Sequence, residues 1–288
     1  MDGTPRPVFV LRYRSRGGPQ LGEGLQERQF ELVVDGQNMT ATLDYHRSSM
    51  DQAGEPIGRF RRPLEPALLE RIEAAVRQVQ LPALGPSVRG DMGASILDFE
   101  VQAGEDTVTK QLTSFDFELL KKLEPLMFEL TKLLSELLRQ HPVAALLASV
   151  KHERQRGEEH FILTLQNVGK QPVRLNDPRT LGRTNDRWAG IRFARRPKEE
   201  PGYTSLPPAW RRLLLAKPPK GEPSPGELTL GAGESISLRT EPWKPKAQEA
   251  TYLVQGVWVD YQALPERKGP YQIRGAVFSE AITVKTPK

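Results

Sequence analysis

Between residues 115 and 140 the apolar side chains Leu120, Leu123, Met127, Leu130, Leu134 and Leu137 recur at spacings of three and four. That rhythm places them in one stripe along a helix. Leu119, Leu126, Leu133 and Leu138 broaden the stripe into a face, while Lys121, Lys122, Glu129, Lys132, Glu136 and Arg139 fall off its centre. A face this wide is expected to be core of a first domain, with a partner or dimer seam as the alternative. Thr113 or Ser114 is the expected N-cap, with Asp116 and Glu118 on the positive end of the helix dipole. Pro125 lies inside the pattern, where it removes a donor and crowds the preceding turn at about 3 kcal/mol in a regular interior. Either a short helix ends near Leu123 and a second starts at Pro125, or one helix kinks. The stripe keeps its phase across the proline, so one kinked helix is the expectation, and a straight coiled coil is not.

Alternating and β-branched runs predict what that helix covers. Residues 8–15 read as a strand, residues 29–34 as a second, and Asp35-Gly36 as a two-residue hairpin turn into a third strand at 39–46. Residues 48–58 read as a polar loop and 59–62 as a short extra strand. Pro66 suits the first position of a helix, and Leu68, Leu69, Ile72, Ala75, Val76 and Val79 continue it until Pro82. Residues 95–101 and 107–112 form another hairpin, turned at 103–106. Strands, helix, hairpin and helix without βαβ alternation predict an α+β domain over residues 1–142, an antiparallel sheet covered by two helices. Its first strand with Arg14-x-Arg16-Gly17-Gly18, followed by sheet and helix, resembles emfourin, a bacterial inhibitor of thermolysin-like metalloproteases. The resemblance covers at most the first ~115 residues and transfers no functional residue.

His141-Pro142 ends the helix and opens a second pattern, with residues 143–150 as an apolar connector or first strand. Residues 159–166 read as a strand, followed by Asn167-Val168-Gly169-Lys170-Gln171-Pro172 and then Val173-Arg174-Leu175. This strand, Asn-x-Gly turn and Pro-Val-x-Leu sequence resembles bacterial immunoglobulin-like β-sandwich domains. Further strands are predicted at 190–195, 226–230, 235–240, 250–261 and 272–284, with Val254, Gly256, Trp258 and Asp260 pointing one way and Val257, Val259 and Tyr261 the other. The expectation for residues 143–288 is an all-β immunoglobulin-like sandwich carrying a long basic insertion at 176–226.

Charge sharpens the division. Residues 1–142 carry 17 Lys/Arg against 21 Asp/Glu, a balance of −4, whereas residues 143–288 carry 24 against 15, a balance of +9. Residues 174–220 alone hold 12 bases and four acids, or +8, with Trp188, Phe193, Tyr203 and Trp210 interleaved. Arginine beside aromatic residues is the composition of binding hot spots. The candidate partner-binding residues are therefore Arg187, Trp188, Arg192, Arg195, Arg196, Tyr203, Trp210, Arg211 and Arg212. The plainer reading is a solvated loop on an Arg-rich protein.

Candidate chemistry is sparse. There is no cysteine, hence no thiolate nucleophile, disulfide or Cys-ligated zinc. His46, His141, His152 and His160 show no helical ligand spacing and no His-Glu-x-x-His. Gly22-Glu23-Gly24 lacks the third glycine of a dinucleotide loop, and neither a P-loop nor a nucleophile elbow occurs. Asn176-Asp177 and Asn185-Asp186 read as turn formers. No cofactor and no metal are expected. No stretch approaches the roughly 18 apolar residues of a membrane span, and the N-terminus lacks the pattern of a signal peptide, so a soluble cytoplasmic protein is expected. The function expected from this pattern is non-catalytic binding of a partner protein, one of acidic surface, by an immunity, inhibitor or adaptor protein of bacterial type. The alternatives are a nucleic-acid-associated protein using residues 174–220, and an enzyme whose site the sequence does not display.

Overall fold

The computed structural model describes residues 8–16, 28–46, 54–85, 95–113, 116–155, 158–181, 187–195, 210–216, 226–244, 250–262 and 269–286. It is mostly antiparallel β-sheet with three α-helices among the described residues. Two compact units account for its contacts: Met1–His46 with Gly58–Val143, and Arg47–Ile57 with Ala144–Lys288. Of the segment expected as a polar loop of the first domain, residues 54–57 fall in the second unit.

In the first unit, β1 (Phe9–Arg16), β2 (Arg28–Asp35), β3 (Thr40–Tyr45), β4 (Ile57–Pro63), β5 (Ile96–Ala103) and β6 (Asp106–Thr113) pair antiparallel in the order β4-β3-β2-β1-β5-β6. Alternation decides the faces. Phe60, Leu43, Leu32, Tyr13 and Phe99 follow one another across the strands, and each is buried. Tyr13 stacks on Phe99 with ring centres 4.8 Å apart. At the β6 end of that row stands Lys110, whose Nζ donates to the carbonyls of Leu84 (2.5 Å) and Gly85 (2.7 Å). The opposite face is a lattice of ion pairs: Arg12 with Glu100, Arg14 with Glu31 (2.6 Å), Arg16 with Asp98 (2.7 Å) and Arg59 with Asp44 (2.8 Å). Half-exposed pairs like these contribute little each, but they leave that face with its charges matched.

The helices α1 (Pro66–Val79), α2 (Phe117–Lys122) and α3 (Glu124–Gln140) supply the apolar cover. Pro66 opens α1 as its position predicts. The proposed single kinked helix is divided at Leu123, because Pro125 has no N–H to return to the carbonyl four residues back. The N-cap is Asp116 rather than Thr113 or Ser114, its carboxylate accepting from the Leu119 N–H at 3.2 Å. The buried line runs through Leu119, Leu123, Leu126, Leu130, Leu133 and Leu137, with Leu120, Met127 and Leu134 half-buried at its flank. The stripe read from the sequence is therefore turned partly aside from the core. Arg62, buried on the apolar side of the sheet, explains how α3 is registered there, since it pairs with Glu136 of α3 and with Glu65. The turn after β2 has four residues, Gly36 to Met39, instead of two. Asp35 closes it by accepting from the Asn38 backbone (2.9 Å) and side chain (2.7 Å).

The second unit contains eleven strands among its described residues. These are β7 (Pro142–Gln155), β8 (Glu158–Asn167), β9 (Val173–Asn176), β10 (Arg187–Arg195), β11 (Arg211–Leu214), β12 (Glu227–Leu230), β13 (Ser235–Arg239), β14 (Thr251–Asp260), β15 (Tyr271–Gln272), β16 (Gly275–Phe278) and β17 (Ile282–Lys285). One sheet has the order β13-β8-β7 and another β11-β10-β14-β16, with β17 also on β14; β12-β9-β15 form a third. The first two meet face to face. A Cβ on Gly256 would lie 2.8 Å from the Leu163 Cδ1 and 3.4 Å from the Val150 Cβ, so any larger residue there would have to displace the Leu163 methyl. Trp243 fills the space between them, its ring centre 5.3 Å from Phe161, 5.9 Å from Phe193 and 5.1 Å from Tyr252. The Asn-x-Gly turn has a clear physical role. Buried Asn167 donates to the carbonyls of Gln171 (2.8 Å), Leu230 (3.0 Å) and Gly231 (3.0 Å), and accepts from the Gly169 N–H (2.9 Å). One side chain thus ties two turns that are far apart in sequence.

Candidate partner-binding face

The stretch read as a basic insertion contains two paired strands. β10 lies between β11 and β14 in antiparallel register, with Arg192 opposite Arg212 on one side and Gln255 on the other. Because Gly256 faces the neighbouring sheet, the odd-numbered residues of β14 face away from it. Register then puts Trp188, Arg192 and Arg212 on that outward face, with Gln255, Val257, Val259 and, from β16, Phe278.

Two cation–aromatic stacks form there. The Arg192 guanidinium carbon sits 4.3 Å from the Trp210 ring centre and 4.8 Å from that of Phe278. Arg212 lies over Trp188 at 4.5 Å. Arg192 Nε also donates to Gln255 Oε1 at 2.5 Å, and the buried Gln255 anchors itself by donating to the Ser279 carbonyl at 2.6 Å. Beneath the stacks Trp188, Val257, Val259, Ala276 and Phe278 form a buried cluster, flanked by Tyr261. Burial pulls the Arg192 guanidinium down to about 10, which leaves it cationic at neutral pH. Each stack is worth about 0.5–2 kcal/mol, with half-buried Arg192 nearer the upper end than exposed Arg212.

Gly190 makes this layout possible. Its φ is +152°, and a Cβ there would stand 2.4 Å from the Leu213 carbonyl oxygen. Only glycine lets β11 approach β10 so closely, and β11 carries Arg212 and follows directly on Trp210.

The remaining candidates have the other parity. Arg187 Nε lies 3.7 Å from Oδ1 of Asp260, a buried carboxylate that also accepts from Asn176 Nδ2 (2.5 Å) and the Gln262 N–H (3.1 Å). Arg187 therefore helps neutralise an interior charge. Arg174 and Arg179 are likewise engaged within the unit, with Glu227 (3.8 Å) and Asp177 (2.8 Å). Arg195 and Arg211 are exposed, on the opposite parity from Arg192 and Arg212. Arg196 and Tyr203 lie outside the described residues, as does Asn185-Asp186.

Of the nine candidate residues, the structure thus gathers Trp188, Arg192, Trp210 and Arg212 on one face and separates Arg187, Arg195 and Arg211 from them. Gln255 and Phe278 belong to the site and were not read from the sequence. Gln255 carried a signal, as the lone polar side chain between Tyr252 and Val259, whereas Phe278 needed the register of β16 on β14. Among the described residues no three His, Cys, Asp or Glu side chains converge to hold a metal ion, and no helix is long and apolar enough to cross a membrane. No protein-family model matches the chain, and no curated protein matches it in sequence.

Proposed function

We propose that this chain is a non-catalytic binding protein that acts by direct contact with an acidic partner protein, as an immunity, inhibitor or adaptor protein does. Residues 143–288 are, on this reading, an immunoglobulin-like sandwich in a cytoplasmic protein, and the outward face of its β11-β10-β14-β16 sheet is the contact. The observation that carries the reading is the pair of stacks, Arg192 between Trp210 and Phe278, and Arg212 on Trp188. A guanidinium is planar by delocalisation, and a ring packed on its face leaves its N–H groups directed around the rim toward in-plane acceptors. That geometry suits carboxylates bidentately and loses little side-chain entropy on binding. Aromatic and arginine side chains fixed in this manner are what binding hot spots contain.

The test is affinity capture from native lysate after nuclease treatment, with Arg212→Glu and Arg211→Glu variants of unchanged melting temperature beside the wild type. The reading expects a protein retained by the wild type and lost by Arg212→Glu. Retention by both variants refutes it. Capture seen in a parallel untreated lysate and lost with nuclease moves the assignment to nucleic acid.

A further inference from the structure

Gln255 lies in β14 at a position where valine or leucine would need no polar partner. It is 2% exposed, and the outward neighbours that follow it on the strand, Val257 and Val259, are buried and apolar. An amide so placed is tolerated when both of its ends are hydrogen-bonded. Here Nε2 donates to the Ser279 carbonyl at 2.6 Å and Oε1 accepts from Arg192 Nε at 2.5 Å. A carbonyl only accepts, so the Ser279 contact decides which way round the amide lies and turns its oxygen to Arg192. Ser279 is itself fixed. Its Oγ accepts from the Gly256 N–H at 2.8 Å and donates to the Glu280 carbonyl at 2.8 Å, and its own N–H donates to the Gly256 carbonyl at 2.9 Å.

Resting on the function proposed above, we infer that Gln255 is a positioning residue of the arginine face, one that aims Arg192 without neutralising it. Elsewhere in this unit Arg174, Arg179 and Arg187 stand against the carboxylates of Glu227, Asp177 and Asp260, contacts in which the two charges cancel. The amide oxygen of Gln255 supplies a grip at Nε and no countercharge. A carboxylate at position 255 would make a stronger hydrogen bond, and it would offset the cation from inside the protein. Glutamine grips Arg192 and adds nothing that competes with an acidic partner.

Two motions of Arg192 have to be stopped. Register sets it directly opposite Arg212 on β11 and Gln255 on β14. Like charges opposite one another on paired strands repel. The Gln255 oxygen draws Arg192 towards β14, on whose far side β16 carries Phe278. The rings of Trp210 and Phe278, with centres 4.3 and 4.8 Å from the guanidinium carbon, hold its plane. Rings do not stop the group turning within that plane. The bond at Nε does, because that N–H lies in the plane of the guanidinium. A donor fork held in both plane and direction meets an incoming carboxylate with little further ordering, which is how a preorganised site gains affinity.

The experiment uses the full chain and two substitutions that separate the grip from the charge. Gln255→Leu removes the acceptor and keeps the cation, whereas Gln255→Glu keeps an acceptor and offsets the cation. Exchange of the Arg192 Nε–Hε proton with water, followed by heteronuclear NMR and assigned by its absence from Arg192→Lys, reads the grip. In the wild type it should be about tenfold slower than at exposed Arg195. Gln255→Leu should bring it to within about twofold of Arg195, and Gln255→Glu should keep it slow. Capture from the nuclease-treated lysate, compared at equal amounts of folded protein, reads the contact. The protein retained by the wild type should fall about tenfold in both variants. A glutamine with a structural role alone would lower the melting temperature and leave retention by the folded protein unchanged. Slow exchange in Gln255→Leu, or wild-type retention by either variant, overturns the inference. Gln255→Leu, which buries no polar group, decides alone if Gln255→Glu does not fold. A wild type that retains no protein refutes the function proposed above instead, and the exchange measurement still decides whether Gln255 aims Arg192.

Discussion

Gly190→Ala tests how the arginine face is built. Its backbone, at φ +152°, lies in a region that residues with a Cβ adopt at about 1–3 kcal/mol. The added methyl would also stand 2.4 Å from the Leu213 carbonyl oxygen, a backbone atom with no rotamer to escape into. Relief comes by parting β11 from β10. That strand is four residues long, and its ladder bonds contribute about 0.5–1.5 kcal/mol each. With the Arg192–Trp210 stack lost as well, the expected cost is about 2–4 kcal/mol, or roughly 5–15 °C in the transition of this unit. Gly233→Ala is the control, since φ there is +78° with nothing within 4 Å of the new Cβ. It should cost only the backbone term of about 1 kcal/mol. Urea unfolding gives both costs, and hydrogen exchange locates the first, with amides 211–214 exchanging faster while β14 stays protected. If Gly190→Ala costs no more than Gly233→Ala and leaves exchange at 211–214 unchanged, glycine is not what seats β11.

Two further changes probe other joints. Asn167→Ala should lower stability by about 3–5 kcal/mol, because three carbonyls and one N–H lose their shared partner in the interior; Asn167→Asp should be worse, since it aims a carboxylate at those carbonyls, and equal urea midpoints for wild type and Asp would refute the role. At Asp35, burial raises the carboxyl pKa, but hydrogen bonds from Asn38 and Gln37 with the charge of Arg61 outweigh it and hold the group below 3.8. A carboxylate whose folded value is lowered stabilises above its unfolded value and loses that stabilisation as pH falls through the folded one. Asp35→Asn should therefore flatten stability against pH below about pH 4, by less than 1 kcal/mol at a site open to solvent, and an unchanged acid limb would contradict it.

The strands of the first unit were legible because alternation records which side of a sheet is dry. β1 alternates buried and half-buried along its whole length, and its side-chain types follow that alternation except at Val10 on the wet side and Ser15 on the dry side. The leucine helix was legible in existence and less so in detail. Its apolar face is wider than its buried line, so spacing alone could not say that Leu126 and Leu133 go inward while Met127 and Leu134 stay at the flank. The proline divided the helix because a missing N–H acts locally, whatever the phase of the pattern. At the candidate site the sequence displayed the residue types but not their grouping. Arginines scattered through residues 187–212 are sorted onto two faces by strand parity, and parity is known only once β10 is registered on β14. Arg187 illustrates the difficulty. Its partner Asp260 is distant in sequence and buried, so a residue that looked like surface charge serves the interior.

The two bonds made by Lys110 have a consequence for how the protein behaves when crowded. Among the described residues β6 pairs with β5 alone, and an outer strand of that kind is a template on which other molecules can polymerise. The ammonium at its middle is turned toward the dry side of the sheet and tethers the Leu84-Gly85 backbone alongside. A strand arriving from solution would meet that cation and its tethered backbone beside the edge. A lysine on an outer strand is the kind of residue that discourages such pairing, and acetylation of the Lys110 amine would remove that charge.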